Sequence, residues 1–224
     1  MAGKLIVLEG MDGTGKETQT KMLIAHLKKE GFNNIKYVDF PRYGKPSAWA
    51  VEQYLNSKLG SLREINPKIS SIFFAFDRFC ACDEIKEALN EGRIVVANRY
   101  TSSNMGHQAA QIKDKEKRDE FLKWLENLEY DVYGLPRPNK IILLRMMPEI
   151  AQKLVQGRGK KDYVEGDEKD ILERDVEHLR AAQETYLYVA EKYGWDIVDC
   201  SPNGKLRSPE DIHEEIWHLV KKVI

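Results

Sequence analysis

Gly10-Met11-Asp12-Gly13-Thr14-Gly15-Lys16-Glu17-Thr18 decides how this chain is read. The apolar run Leu5-Ile6-Val7-Leu8 precedes it, and an amphipathic run from Thr18 to about Glu30 follows. Strand, glycine-rich loop and helix in that order, with the spacing Gly10-x4-Gly15-Lys16, make a phosphate-binding loop. Glycines let successive N–H groups converge on one anion. The helix N-terminus adds its dipole and its unpaired donors. Lys16 brings a mobile positive charge for the outer phosphates. Glu17 departs from the pattern, because Ser or Thr usually offers magnesium a hydroxyl there. Thr18 follows one place later.

The rest of the composition narrows the function. A chain of 224 residues suits one domain, 1–224, with a core large enough to need no disulfides. Charged residues make up 32% of it, yet the formal net charge is -1, which argues against broad nucleic-acid binding. Cys80, Cys82 and Cys200 are sparse and odd in number, as expected of reduced thiols in the cytoplasm. The apolar run near the start is too short for a signal peptide or a membrane span, and no later run approaches membrane length.

Beyond the loop, strands and helices alternate, which predicts an α/β fold with a parallel sheet covered on both faces. The strands are Leu5–Leu8, Ile35–Phe40, Ile94–Ala97, Lys140–Arg145 and Trp195–Asp199. The helices expected between them include Ser47–Ser57 with Ser47 as N-cap, one long helix Pro67–Asn90, Ser102–Gln111 and Lys113–Glu129. Further on come Pro148–Val155, Asp170–Tyr193 and Pro209–Val223. Phe73, Phe76 and Phe79 recur at helical spacing and read mostly as core. His26, His178, His213 and His218 lie on charged helices and read as solvated. Ligands of parallel sheets bind beyond the C-terminal strand ends. Those ends deliver the phosphate loop, Phe40-Pro41-Arg42-Tyr43, Asn98-Arg99-Tyr100, and Arg145 with the basic loop Gly157-Arg158-Gly159-Lys160-Lys161. Arginines gathered beside a phosphate loop suit several phosphates, since guanidinium groups grip phosphate oxygens in pairs.

Four pieces in this order, Gly10–Thr18, Phe40-Pro41-Arg42, Phe74-Ala75-x-Asp77-Arg78 and Asn98-Arg99-Tyr100, resemble the thymidylate kinases among the P-loop nucleoside-monophosphate kinases. The resemblance spans nearly the whole chain. It implies a three-layer P-loop NTPase fold, a five-stranded parallel sheet flanked by helices, a mobile lid at about 157–167, and a homodimer. It also implies transfer of the ATP γ-phosphate to dTMP with Mg2+, and no nucleic-acid or membrane partner.

The resemblance distributes roles along the chain. Lys16 and the amides of Gly10, Met11, Asp12, Gly13, Thr14, Gly15, Glu17 and Thr18 would cradle ATP. Asp12 matches an acid near the acceptor sugar and the magnesium, with Glu17 a second candidate for the metal. Arg42 and Arg99 match the arginines that hold the dTMP phosphate and bridge towards ATP, and Phe40 and Pro41 match substrate-binding positions beside Arg42. Phe74 matches the platform under thymine, and Arg78 the side chain that reaches a thymine carbonyl. Ser103 and Asn104 match the polar reader of the base edge. His107 stands where an aromatic, often Tyr, senses the sugar. Some relatives carry an arginine inside the phosphate loop, where this chain has Gly13. The cation is then expected on the lid, with Arg158, in the type common in bacteria. Asn98 replaces the Asp usually found before Arg-Tyr, and Glu17 could offset that lost charge. Two other readings stand beside dTMP kinase: a kinase for dUMP or another monophosphate, and a non-catalytic nucleotide-binding protein.

Overall fold

The computed structural model describes residues 3–156 and 171–224. Arg158 and the expected lid at 157–167 lie outside the described residues. Five parallel strands form one sheet: β1 (Lys4–Gly10), β2 (Ile35–Asp39), β3 (Ile94–Asn98), β4 (Lys140–Arg145) and β5 (Asp196–Asp199). Their order is β2-β3-β1-β4-β5, so β1 is central and the loop after it opens at the middle of the sheet edge. β1, β3 and β4 match apolar runs because a parallel strand covered on both faces must be largely apolar, whereas β2, at the sheet edge, mixes Ile35, Tyr37 and Val38 with Lys36 and Asp39. Leu5, Ile6, Val7 and Leu8 are wholly buried. Alternate residues serve the two faces: Ile6 and Leu8 pack in one core cluster, Leu5 and Val7 in the other.

One face carries α1 (Lys16–Lys29) and α10 (Pro209–Val220), which meet through Leu23, Leu27, Ile216 and Val220. The other carries α4 (Cys82–Asn90), seated through Ile85 and Ala88. The remaining helices are α2 (Trp49–Leu55), α3 (Pro67–Phe79), α5 (Thr101–His107), α6 (Lys115–Glu126), α7 (Pro148–Gln156), α8 (Ile171–Arg174) and α9 (Val176–Tyr193). No described helix is long and apolar enough to cross a membrane.

Four sequence expectations change here. The helix read as Pro67–Asn90 is two helices, because the chain turns at Cys80–Ala81 with Ala81 N–H bonded back to the Arg78 carbonyl. The turn lets α4 lie on the sheet while α3 runs elsewhere. The helix read as Asp170–Tyr193 is interrupted at Asp175, whose carboxylate caps α9 by accepting from His178 N–H. The helix read as Lys113–Glu129 passes into a π-helical segment, Asn127–Val132. Ser47 does not cap a helix: α2 begins two residues later, and the Ser47 hydroxyl is spent on Asp77 and Arg42.

Side-chain placement also differs. Phe76 and Phe79 are exposed, whereas Phe73 packs beside Tyr54 and Leu55. His178 and His213 are buried. His213 Nε2 lies 2.8 Å from His26 Nδ1, so the imidazoles satisfy each other instead of water.

Candidate active site

The phosphate loop leaves β1 at Gly10 and enters α1 at Lys16. Gly15, at the helix N-cap, has φ +86°, a left-handed conformation that glycine adopts without strain. Lys16 Nζ donates to the Met11 carbonyl at 2.9 Å, so the lysine curls back over its own loop. Gly13 also has a positive φ, and a Cβ there would lie 2.3 Å from the Ala151 carbonyl oxygen on α7. A side chain at that position has no room while α7 packs as it does.

Behind the loop sits Glu9, a fully buried carboxylate. Its oxygens accept from Ser102 (2.7 Å), Ser103 (2.9 and 3.0 Å), Tyr186 (3.0 Å) and the Gly10 N–H (3.0 Å). Arg99 Nη1 adds a charged donor at 3.3 Å. Burial, then the Glu9 charge, pushes the Tyr186 phenol well up, so it stays a donor. Arg99 also reaches Asp12 with Nη2 at 2.7 Å, which ties the end of β3 to the phosphate loop. Burial works against the Arg99 charge, but the surrounding acids, Asp12 first, outweigh it and hold the arginine charged. Arg99 has φ +65°, an uncommon conformation for a non-glycine residue and one found at functional sites.

His107 lies 3.4 Å from Arg99 Nη1 and stacks on His178 at 5.9 Å between ring centroids. Burial and then Arg99 drive the His107 pKa well down; burial takes His178 to about 4. Both imidazoles are neutral at physiological pH. Gly106 makes room beside them, since a Cβ there would stand 2.2 Å from the Tyr186 ring.

Arg42 follows the cis Phe40–Pro41 peptide bond. Asp77 holds it at two points, accepting from the backbone N–H at 2.7 Å and from Nε at 3.1 Å. Ser47 completes the clamp at 2.9 Å from Nη2. On α3, Phe74 is half-buried and meets Tyr54 edge-on at 6.0 Å. Arg78 and Asn104 are both buried and both bonded to Glu129 of the π-helical segment.

A phosphate loop, two arginines held by carboxylates and a buried arginine–amide pair thus gather at the C-terminal side of the sheet. The thymidylate kinase family profile matches residues 8–216. The chain belongs to the thymidylate kinase family. It is 29% identical to the thymidylate kinase of Mycobacterium tuberculosis over 192 residues, covering 85% of this chain and 87% of that one. It is 30% identical to a probable thymidylate kinase of Methanosarcina acetivorans over 226 residues, covering 100% and 97%. The structure of the Candida albicans thymidylate kinase superposes with TM-score 0.72 at 20% identity, over 99% of this chain and 92% of that one, which shows the shared fold.

Within this thymidylate kinase fold the expected site residues separate into groups. Lys16, Asp12, Arg99, Ser103 and His107 are linked by contacts around the loop. Arg42 stands on its own clamp. Phe40, expected at the substrate, is instead a core residue packed on Tyr100 at 6.0 Å, and it seats the turn that carries Arg42. Glu17, expected at the metal, is exposed and paired with Lys21 at 2.6 Å, one helical turn along α1. Among the described residues no three His, Cys, Asp or Glu side chains converge on a metal position.

Three acids around these residues were not singled out in the sequence, Glu9, Glu129 and Asp39, and Asp77 stood in the Phe74–Arg78 motif without a role. Asp39 ends β2 directly beside Asn98 of β3. Desolvation raises its carboxyl pKa, while Arg99 and Lys16 pull the other way.

Proposed function

We propose that the chain phosphorylates dTMP to dTDP with ATP, supplying dTTP synthesis. The observation that carries this is the 2.7 Å contact of Arg99 with Asp12, which brings the end of β3 against the phosphate loop. Donor phosphates on the loop and an acceptor phosphate on Arg99 would then share one small volume. Lys16 and the loop amides would hold the ATP phosphates. Arg42 and Arg99 would grip the dTMP phosphate, and Phe74, Arg78 and Asn104 its base. An acceptor phosphate oxygen attacks the γ-phosphorus, the bond to the β–γ bridging oxygen breaks, and ADP leaves. The nucleophile is already anionic, so the protein's work is positioning and charge neutralisation. Asp12 holds Arg99 until phosphate replaces it, and Arg158 would add its charge from the lid.

Magnesium would enter with ATP and would neutralise phosphate charge. The residues present fit a hydrated ion. Asn98 Oδ1 is buried with no hydrogen-bond partner among the described residues, and Asp39 lies beside it across the strand pair. Asp12, Asn98 and Asp39 would hold its waters, with Glu17 at the rim.

A second copy of this chain would cover Ile69, Ile72, Phe76 and Phe79, exposed along one face of α3. A two-fold axis pairs such a stripe with itself. Light scattering would show a dimer that Phe76→Glu dissociates. The exposed free thiol of Cys80 agrees with a reducing, cytoplasmic setting.

The test is ADP release with MgATP across a panel of nucleoside monophosphates. Turnover confined to dTMP upholds the reading. Preference for another monophosphate supports an altered acceptor, and binding without turnover supports a non-catalytic role.

A further inference from the structure

We propose that Glu129 is a positioning residue that sets base selectivity, by locking the Asn104 amide so that only its oxygen can meet the acceptor base. This rests on the dTMP reading above.

Glu129, Arg78 and Asn104 are almost wholly buried together. Glu129 Oε2 accepts from Arg78 Nε at 2.6 Å, and Oε1 from Arg78 Nη2 at 2.8 Å. Oε1 also accepts from Asn104 Nδ2 at 2.9 Å, and the Ser71 carbonyl accepts from the same nitrogen at 3.1 Å. Both neighbours of that amide group are oxygens without a proton. The atom between them must therefore be the nitrogen, because a flipped amide would set oxygen against oxygen twice. Both N–H bonds of Asn104 are spent inside the protein. What it can offer a ligand is Oδ1, an acceptor.

Arg78 can only donate. A donor beside an acceptor complements a ring carbonyl next to a ring N–H, the edge that thymine and uracil present. Cytosine presents an amino group next to a bare ring nitrogen. Against this pair it would meet donor with donor and acceptor with acceptor. Guanine offers the carbonyl and N–H, but on a larger bicyclic ring. Glu129 enforces the pattern from outside the base site, by holding the arginine and the amide at once. The π-helical turn that carries it, Asn127–Val132, is a distortion that recurs at functional sites.

The experiment is Glu129→Gln, with kcat and KM measured for dTMP and dCMP at fixed MgATP. The side chain keeps its size but offers one acceptor oxygen, so Asn104 can turn. The ratio of kcat/KM for dTMP over dCMP is expected to fall about tenfold or more, the worth of one well-placed buried hydrogen bond. The fall should come mainly from a higher KM for dTMP, with the KM for ATP unchanged. A merely structural role would lower both acceptors together and leave the ratio unmoved, which overturns the proposal. Should Glu129→Gln fail to fold, Glu129→Asp keeps the buried charge while drawing it back from Asn104. A reduced ratio in that variant upholds the proposal, and an unchanged ratio overturns it. The functional reading fails separately, when the wild-type protein already shows no preference for dTMP over dCMP.

Discussion

Arg99 and Arg78 both sit on carboxylates, yet their settings differ. Arg99 is shared between Glu9 and Asp12, and its side chain is 13% exposed while that of Asp12 is 32% exposed. Arg78 has one partner, Glu129, and both side chains are 2% exposed or less. The first cluster joins two acids to Arg99, with Lys16 3.9 Å from Asp12, and opens on one side. An arriving phosphate can displace Asp12 while Glu9 keeps the guanidinium oriented. The second is closed and balanced, so its donors hold fixed directions. A site that moves charge is thus built loosely at the phosphate end and rigidly at the base end.

That contrast can be broken by removing its parts. Glu9→Ala strips a buried carboxylate from its donors and should destabilise the fold by about 3–5 kcal/mol, read from urea unfolding. A loss near zero would mean that Glu9 is not the anchor. Lys16→Ala should leave unfolding nearly unchanged but cut kcat by about 100- to 1000-fold. A variant with kcat near wild type would remove the lysine from the chemistry.

The histidines behind the phosphate end give a pH signature. Burial lowers His178 from the ordinary 6.5 to about 4 in the fold. Its proton therefore favours the unfolded chain. The stability is complete above pH 6.5 and is lost as pH falls towards 4. The drop is ~3 kcal/mol at one pKa unit per 1.36 kcal/mol. His178→Gln should flatten unfolding curves across that window; an equal slope in the variant would assign the loss elsewhere. The smallest effect is expected at Asp12, whose partly open ion pair should contribute no more than ~1 kcal/mol. Asp12→Asn should thus cost activity while barely moving the urea midpoint. A large shift in that midpoint would make the two partners of Arg99 equivalent.

The phosphate loop was legible because its chemistry is local: spacing, glycines and lysine stand within one turn of chain. Strands β1, β3 and β4 were legible as continuous apolar runs. Glu9 escaped because its donors Ser102, Ser103 and Tyr186 arrive from distant segments. The visible signal was an acid closing an otherwise apolar strand. Ser47 looked like a cap from its neighbours alone, but Asp77 is a stronger partner for its hydroxyl. The break at Cys80–Ala81 has no glycine or proline to announce it. Phe76 and Phe79 follow a core period on a helix whose outer face the described chain leaves open. Glu129 read as one more charge on an amphipathic helix, and only the fold reveals that it faces inward.

The most direct test compares dTMP with dCMP as acceptors for the wild-type protein at saturating MgATP. A site with a fixed donor beside a fixed acceptor should favour dTMP in kcat/KM by roughly 100-fold or more. Comparable values for the two would contradict the account of a rigid base end beside a loose phosphate end.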